Sequence, residues 1–200
     1  MRSKVLENKK NKKNALLRSA FELFTQTDIH SVTVQDIVEK AGVAKGTFYL
    51  YFKDKYEVRD VLIQNEARRL FTNAHQLLQQ NDIHDFEDAV VFVINQVLLQ
   101  LEQQPIILKF IERNLSWGIF HEHLQNSIES DTLDLVSNFI TLAEKNHYHF
   151  DKPEVILYII IEAAGSSCYN SILYHQPLEI KAFKPYLFQA IRSILRSYKQ

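Results

Sequence analysis

Four glycines and four prolines in 200 residues are too few to punctuate a chain of short strands and tight turns. No run of alternating β-branched residues offsets that scarcity, so the sequence predicts an all-α protein of long helices. A single cysteine, Cys168, excludes an intrachain disulfide and fits a reducing, cytoplasmic setting. Long apolar runs are missing too. The run from Val155 is broken by Glu162, so no membrane segment is expected, and the start MRSKVLENKKNKK lacks the apolar core of a secretory signal. There is no glycine-rich phosphate loop, serine elbow or metalloprotease motif, so neither an enzyme nor a cofactor is expected. His121 and His123, and His147 and His149, form two H-x-H pairs. Side chains two apart on a helix diverge by about 200°, so no metal site is expected. Cys168, set among apolar and small residues, reads as a buried, inert thiol.

The net charge of −1 hides an uneven distribution. Residues 1–60 hold 12 Lys/Arg and 8 Asp/Glu, a balance of +4; residues 61–200 hold 11 and 16, a balance of −5. Lys9, Lys10, Lys12 and Lys13 form a basic arm. Such an arm either draws in a phosphate backbone or is simply a solvated terminus. Both readings stay open at this stage.

The chemistry is concentrated between Thr33 and Lys55, TVQDIVEKAGVAKGTFYLYFKDK. Thr33 is a candidate N-cap with Asp36 in the first turn. Val34, Ile37, Val38 and Ala41 mark one helix face, and Gly42 supplies a left-handed stop. A second helix is predicted over residues 44–52, with Phe48 and Phe52 inward. Gly46, Thr47 and Leu50 then point outward, flanked by Tyr49 and Tyr51, with Lys45 at the start and Lys53 and Lys55 after. Glycine permits close backbone approach, leucine can touch a thymine methyl, and hydroxyls and ammonium groups can meet phosphate. This is a helix-turn-helix suited to double-stranded DNA.

The segment from about Leu16 to Val61, and AGVAKGTFYLYFKDK in particular, resembles the DNA-binding domain of the TetR family of bacterial transcription regulators. The resemblance implies DNA-contacting positions at Thr47, Tyr49, Leu50, Tyr51 and Lys55, with Lys45 and Gly46 at the groove. Three departures stand out. Leu50 replaces a common histidine, Ala44 a common serine cap, and Asp28 a common glycine at the end of the first helix. Losing the cap oxygen costs about 1 kcal/mol, and Asp tolerates the left-handed conformation that glycine would supply.

The sequence divides into a DNA-binding domain over residues 1–60 and a larger helical domain over 61–200. Helices are predicted over residues 12–27, 54–80, 84–103, 105–118, 126–146, 152–174 and 178–198, with NHYHFDKP as a loop. The helix at 84–103 is apolar almost all round and should be central. The last helix has Leu187, Ala190, Ile191, Ile194 and Tyr198 on one face and Phe188 and Leu195 on another. Two apolar faces need two partners, its own core and a second subunit, and the resemblance implies a homodimer through the C-terminal helices. Glu162, within ILYIIIEAAG, reads as an awkward carboxylate that needs a partner such as Arg113. The resemblance further implies a pocket for a small-molecule effector, with Phe110, Trp117, Phe120, Tyr158, Glu162 and Tyr169 as candidate lining. The expected function is a ligand-responsive regulator, a repressor released from a palindromic operator. The alternative is an effector-free, DNA-bound structural or cell-division factor of the same fold.

Overall fold

The computed structural model describes residues 2–111 and 135–199, with side chains from Glu7 onward. Among the described residues there are nine helices and no strand. They are α1 (Arg2–Gln26), α2 (Val34–Ala41), α3 (Lys45–Phe48), α4 (Lys55–Gln79), α5 (Phe86–Gln103), α6 (Pro105–Ile111), α7 (Leu135–Lys145), α8 (Pro153–Tyr174) and α9 (Ile180–Ser197). The chain forms two compact units, Met1–Ile63 and Gln64–Gln200.

In the first unit, α1 packs on α2 and α2 on α3. Leu16, Ala20, Ile37, Phe48 and Val58 are fully buried, and Val32, Val38 and Phe52 nearly so. The inward stripe of α1 therefore runs through Leu16 and Ala20, while Leu17, Phe21 and Phe24 are half-buried. The helix also starts ten residues earlier than expected, at Arg2 rather than Lys12. The basic arm is thus helical, and its lysines are exposed along α1. Polar residues with good helix propensity can extend a helix that is already nucleated on a core.

In the second unit, α5 is central as expected, with Phe86, Ala89, Val90, Val91, Ile94, Val97, Leu98 and Leu101 buried. It packs against α6, α8 and α9. The chain bends by 109° between α5 and α6, where Pro105 removes a backbone donor. Helix α8 spans 22 residues, long and apolar enough to cross a membrane by length and composition. By sequence, Glu162 makes its apolar run too short to span a bilayer. Here α8 is a core helix, with Ile156, Ile160, Ile161, Ala164 and Cys168 buried between α5, α7 and α9. The loop at residues 146–152 is as expected, and His147 and His149 are exposed in it.

A polar clasp joins the ends of three elements in this unit. Glu87, 5% exposed, receives the Arg196 guanidinium on both carboxylate oxygens, at 2.8 Å each, and the Tyr148 hydroxyl at 2.6 Å. Arg192 binds Asp88 at 2.6 Å. The Arg196 hydrogen bonds, then Tyr148 and the nearby arginine charges, hold the Glu87 carboxyl below its ordinary value. Burial and the Glu87 carboxylate push the Tyr148 hydroxyl up to about 12.

Candidate functional site

The helix-turn-helix is built by local chemistry. Thr33 caps α2: its hydroxyl accepts from the Asp36 N–H at 3.2 Å, and Asp36 accepts from the Thr33 N–H at 2.7 Å. These hydrogen bonds hold the Asp36 carboxyl below its ordinary value. Gly42 ends the helix at φ +66°, a conformation that a side chain would strain. Ala44 precedes α3 with no side-chain cap.

Helix α3 is shorter than the sequence suggested. It ends at Phe48, and residues 49–51 continue as turns through Leu50 N–H to Thr47 O at 3.3 Å and Tyr51 N–H to Phe48 O at 2.9 Å. The uncapped start and Gly46 leave little to hold a longer helix. The outward set nevertheless shares one surface segment. Tyr49 is 55% exposed and Leu50 is 79% exposed, while Lys45, Gly46 and Lys53 are also exposed. Thr47 and Tyr51 are half-buried, and Phe48 and Phe52 anchor the segment from within. Tyr49 sits edge-on to Phe48, with ring centroids 5.4 Å apart.

Among the described residues nothing packs where a side chain at Gly46 would go: beyond its chain neighbours and its own helix backbone, a methyl group built there meets no atom within 4 Å, and its backbone is not left-handed.

Lys55, expected to reach a phosphate, is engaged within the chain. Its ammonium donates to the carbonyls of Ile29 at 2.8 Å, His30 at 3.0 Å and Val32 at 2.8 Å. Three N–H groups meet three carbonyls, so Lys55 ties the α1–α2 loop to the start of α4. Asp28 does not take the left-handed conformation expected of it. Its carboxylate accepts from the His30 N–H at 2.7 Å, which closes the turn. Asp54 caps α4, accepting from the N–H groups of Tyr56 and Glu57 at 2.9 Å each, and Glu57 accepts in return from the Lys53 N–H. The spacing D-x-x-E was the available signal for this cap. One exposed pair had no local signal: the Tyr56 hydroxyl lies 3.2 Å from His30 Nδ1, 26 residues away.

Residues 16–61 match the model of the bacterial regulatory proteins of the TetR family. The helix-turn-helix segment of this chain is thus similar to that family's DNA-binding region. The chain is 34% identical over 97 residues to the regulator YvdT of Bacillus subtilis, covering 46% of this chain and 47% of that protein. It is 30% identical over 111 residues to YdgC of the same organism, covering 54% and 55%. The chain thus spans about half the length of these two relatives. Over nearly its whole length it shares the TetR fold. A TetR-family regulator from Streptomyces coelicolor aligns with TM-score 0.67 at 13% identity, over 94% of this chain and 99% of that one.

The second unit holds a cavity of about 400 Å³ between the end of α4, the start of α5, and α7. Its floor includes Phe71, Ile94, Phe139 and Leu157, and its rim His75, Gln79 and Lys145. This is not the lining read from the sequence. Trp117 and Phe120 lie outside the described residues, as do Arg113, His121 and His123. Tyr158 is 43% exposed on α8, and Glu162 is half-buried, with the Ser166 hydroxyl 3.4 Å away. Phe110 packs half-buried against the core. Tyr169 lines a separate, much smaller cavity of about 20 Å³ beside Cys168. Among the described residues of this unit the buried carboxylate is Glu87, while Glu162 is half-exposed. Cys168 is buried, and that burial pushes its thiol up to about 11. Among the described residues no three His, Cys, Asp or Glu side chains converge as metal ligands.

Proposed function

We propose that this protein is a homodimeric, cytoplasmic transcription regulator, not an enzyme, released from a palindromic operator by a small molecule. Gly46 carries the DNA part of the reading. Glycine in a helix is less favourable than alanine by about 0.5–1 kcal/mol, and nothing packed around it among the described residues calls for it here. Close approach of a DNA backbone would. Around it, Lys45 and Lys53 supply charge to phosphate, and the hydroxyls of Thr47, Tyr49 and Tyr51 supply hydrogen bonds. Leu50, the most exposed large apolar side chain of the segment, is the candidate base-reading group.

The test is Gly46→Ala. The variant should be as stable as the parent or slightly more so, yet bind its selected operator at least tenfold more weakly. If its affinity is undiminished, Gly46 is not at the groove and the assignment fails.

The 400 Å³ cavity favours the effector-responsive reading over an effector-free structural factor. Helix α4 supplies the connection: His75 and Gln79 in its last turns line the cavity, and its first turn holds Lys55 and Tyr56. A ligand that binds one position of α4 better than another shifts the population of DNA-competent dimers. A repressor role fits release by such a ligand.

A further inference from the structure

We propose that the cavity between α4, α5 and α7 takes an amphiphilic acid, an elongated apolar body with one carboxylate-like head held at Lys145. This rests on the effector reading above and gives that site a ligand class. The floor is apolar and largely buried: Phe71, Ile94, Phe139 and Leu157 are each 7% exposed or less. Polar groups border it, with Asn81 just after α4 and two stripes on the helices. His75 and Gln79 lie one turn apart on α4; Asn138, Thr141 and Lys145 follow helical spacing on α7.

Charge decides the class. Among the described lining residues Lys145 carries the only permanent charge, and there is no aspartate or glutamate. His75 is 3.0 Å from the Gln79 amide nitrogen, and burial keeps its imidazole below the ordinary value. It therefore offers hydrogen bonds rather than a second cation near neutral pH. A cationic ligand would meet a like charge and, among the described lining residues, no counter-ion. A wholly apolar ligand would cover the half-buried Asn138 amide and leave the Lys145 ammonium at the mouth unused. An acid uses both parts: its body covers the floor, and its head accepts from the Lys145 ammonium and the neighbouring donors. Lys145 ends α7, where the helix carries partial negative charge, and its ammonium offsets that charge for an arriving anion. Because Lys145 is exposed, the head sits at the mouth and the charge preference is moderate.

Calorimetric titration of the full chain with decanoate, decanol and decylamine, below micellar concentrations, tests this. Decanoate should bind about fivefold tighter than decanol or better, and decylamine weakest. Lys145→Gln should bring decanoate down to the decanol level and leave decanol unchanged. Val93→Trp, which fills the cavity, should abolish binding of all three. Equal binding of acid and alcohol, or an acid preference that survives Lys145→Gln, overturns the ligand class while leaving an effector site. Decanoate binding that survives Val93→Trp also overturns the proposal, because the acid then sits elsewhere. If none of the three binds, the class is overturned. The effector reading falls with it only if a bacterial small-molecule extract also fails to release operator DNA.

Discussion

A lysine ammonium has three N–H donors, and Lys55 spends them on the carbonyls of Ile29, His30 and Val32. Charge-assisted hydrogen bonds contribute about 1.5–3 kcal/mol, more than an exposed lysine gains from one phosphate in physiological salt. Lys55→Met should therefore lower the unfolding free energy by about 2 kcal/mol in urea titration of the full chain. Its DNA affinity should fall through misplacement of the α1–α2 loop, while the slope of log affinity against log salt stays nearly constant. A direct phosphate contact would instead reduce that slope by about one and leave stability unchanged. Leu50 makes the complementary case. At 79% exposed it holds nothing in place, so Leu50→Ala should leave stability within about 0.5 kcal/mol and change which sequences are selected from a random DNA pool. If the selected sequences are the same, Leu50 reads no base.

Elements were legible in the sequence where their signals are local. The Thr33–Asp36 box and Gly42 lie within ten residues of each other and bound α2 at both ends. The apolar continuity of α5 likewise announced a central helix. Helix α3 was overestimated because aromatic periodicity continues to Phe52 while the backbone turns after Phe48. Glu87 was missed for another reason: its partners Tyr148 and Arg196 are 61 and 109 residues away, and no spacing rule reaches that far. Glu162 attracted notice by interrupting an apolar run, yet it lies half-exposed. The Glu87 clasp fastens α9 to the start of α5, which gives it a pH signature. Its carboxyl is held below its ordinary 4.5 in the fold, so its contribution to stability is complete above that value. The contribution is lost as pH falls through the lower folded value. Glu87→Gln should remove about 1–3 kcal/mol at neutral pH and flatten the loss of stability between pH 5 and the acid limit. Thermal melts across that range check this, and a parallel acid dependence in parent and variant would assign the acid sensitivity to other groups.

At the scale of the whole molecule, the proposed dimer needs a surface that would meet a second copy. The sequence placed Leu187, Ala190, Ile191, Ile194 and Tyr198 on one face of the last helix, and the fold divides them. Leu187 and Ile191 turn inward with Leu195, whereas Ala190 and Tyr198 are exposed and Ile194 is half-buried. Tyr186 is 67% exposed beside them, and Val155 and Tyr158 on α8 are 46% and 43% exposed. Large apolar side chains left open on two long neighbouring helices fit a subunit interface. The two substitutions that a simple helical wheel treats alike should therefore part company. Ile191→Glu places a carboxylate in the core and should unfold the second unit, with loss of helical circular dichroism. Tyr186→Glu should keep the parent's helical spectrum and give folded monomers in sedimentation at micromolar concentration. Those monomers should bind a palindromic site at least tenfold more weakly than the parent but a single half-site equally well, because only simultaneous engagement of both halves is lost. A Tyr186→Glu protein that still sediments as a dimer moves the interface off this face. A parent that is itself monomeric at micromolar concentration removes the dimer from the proposal altogether.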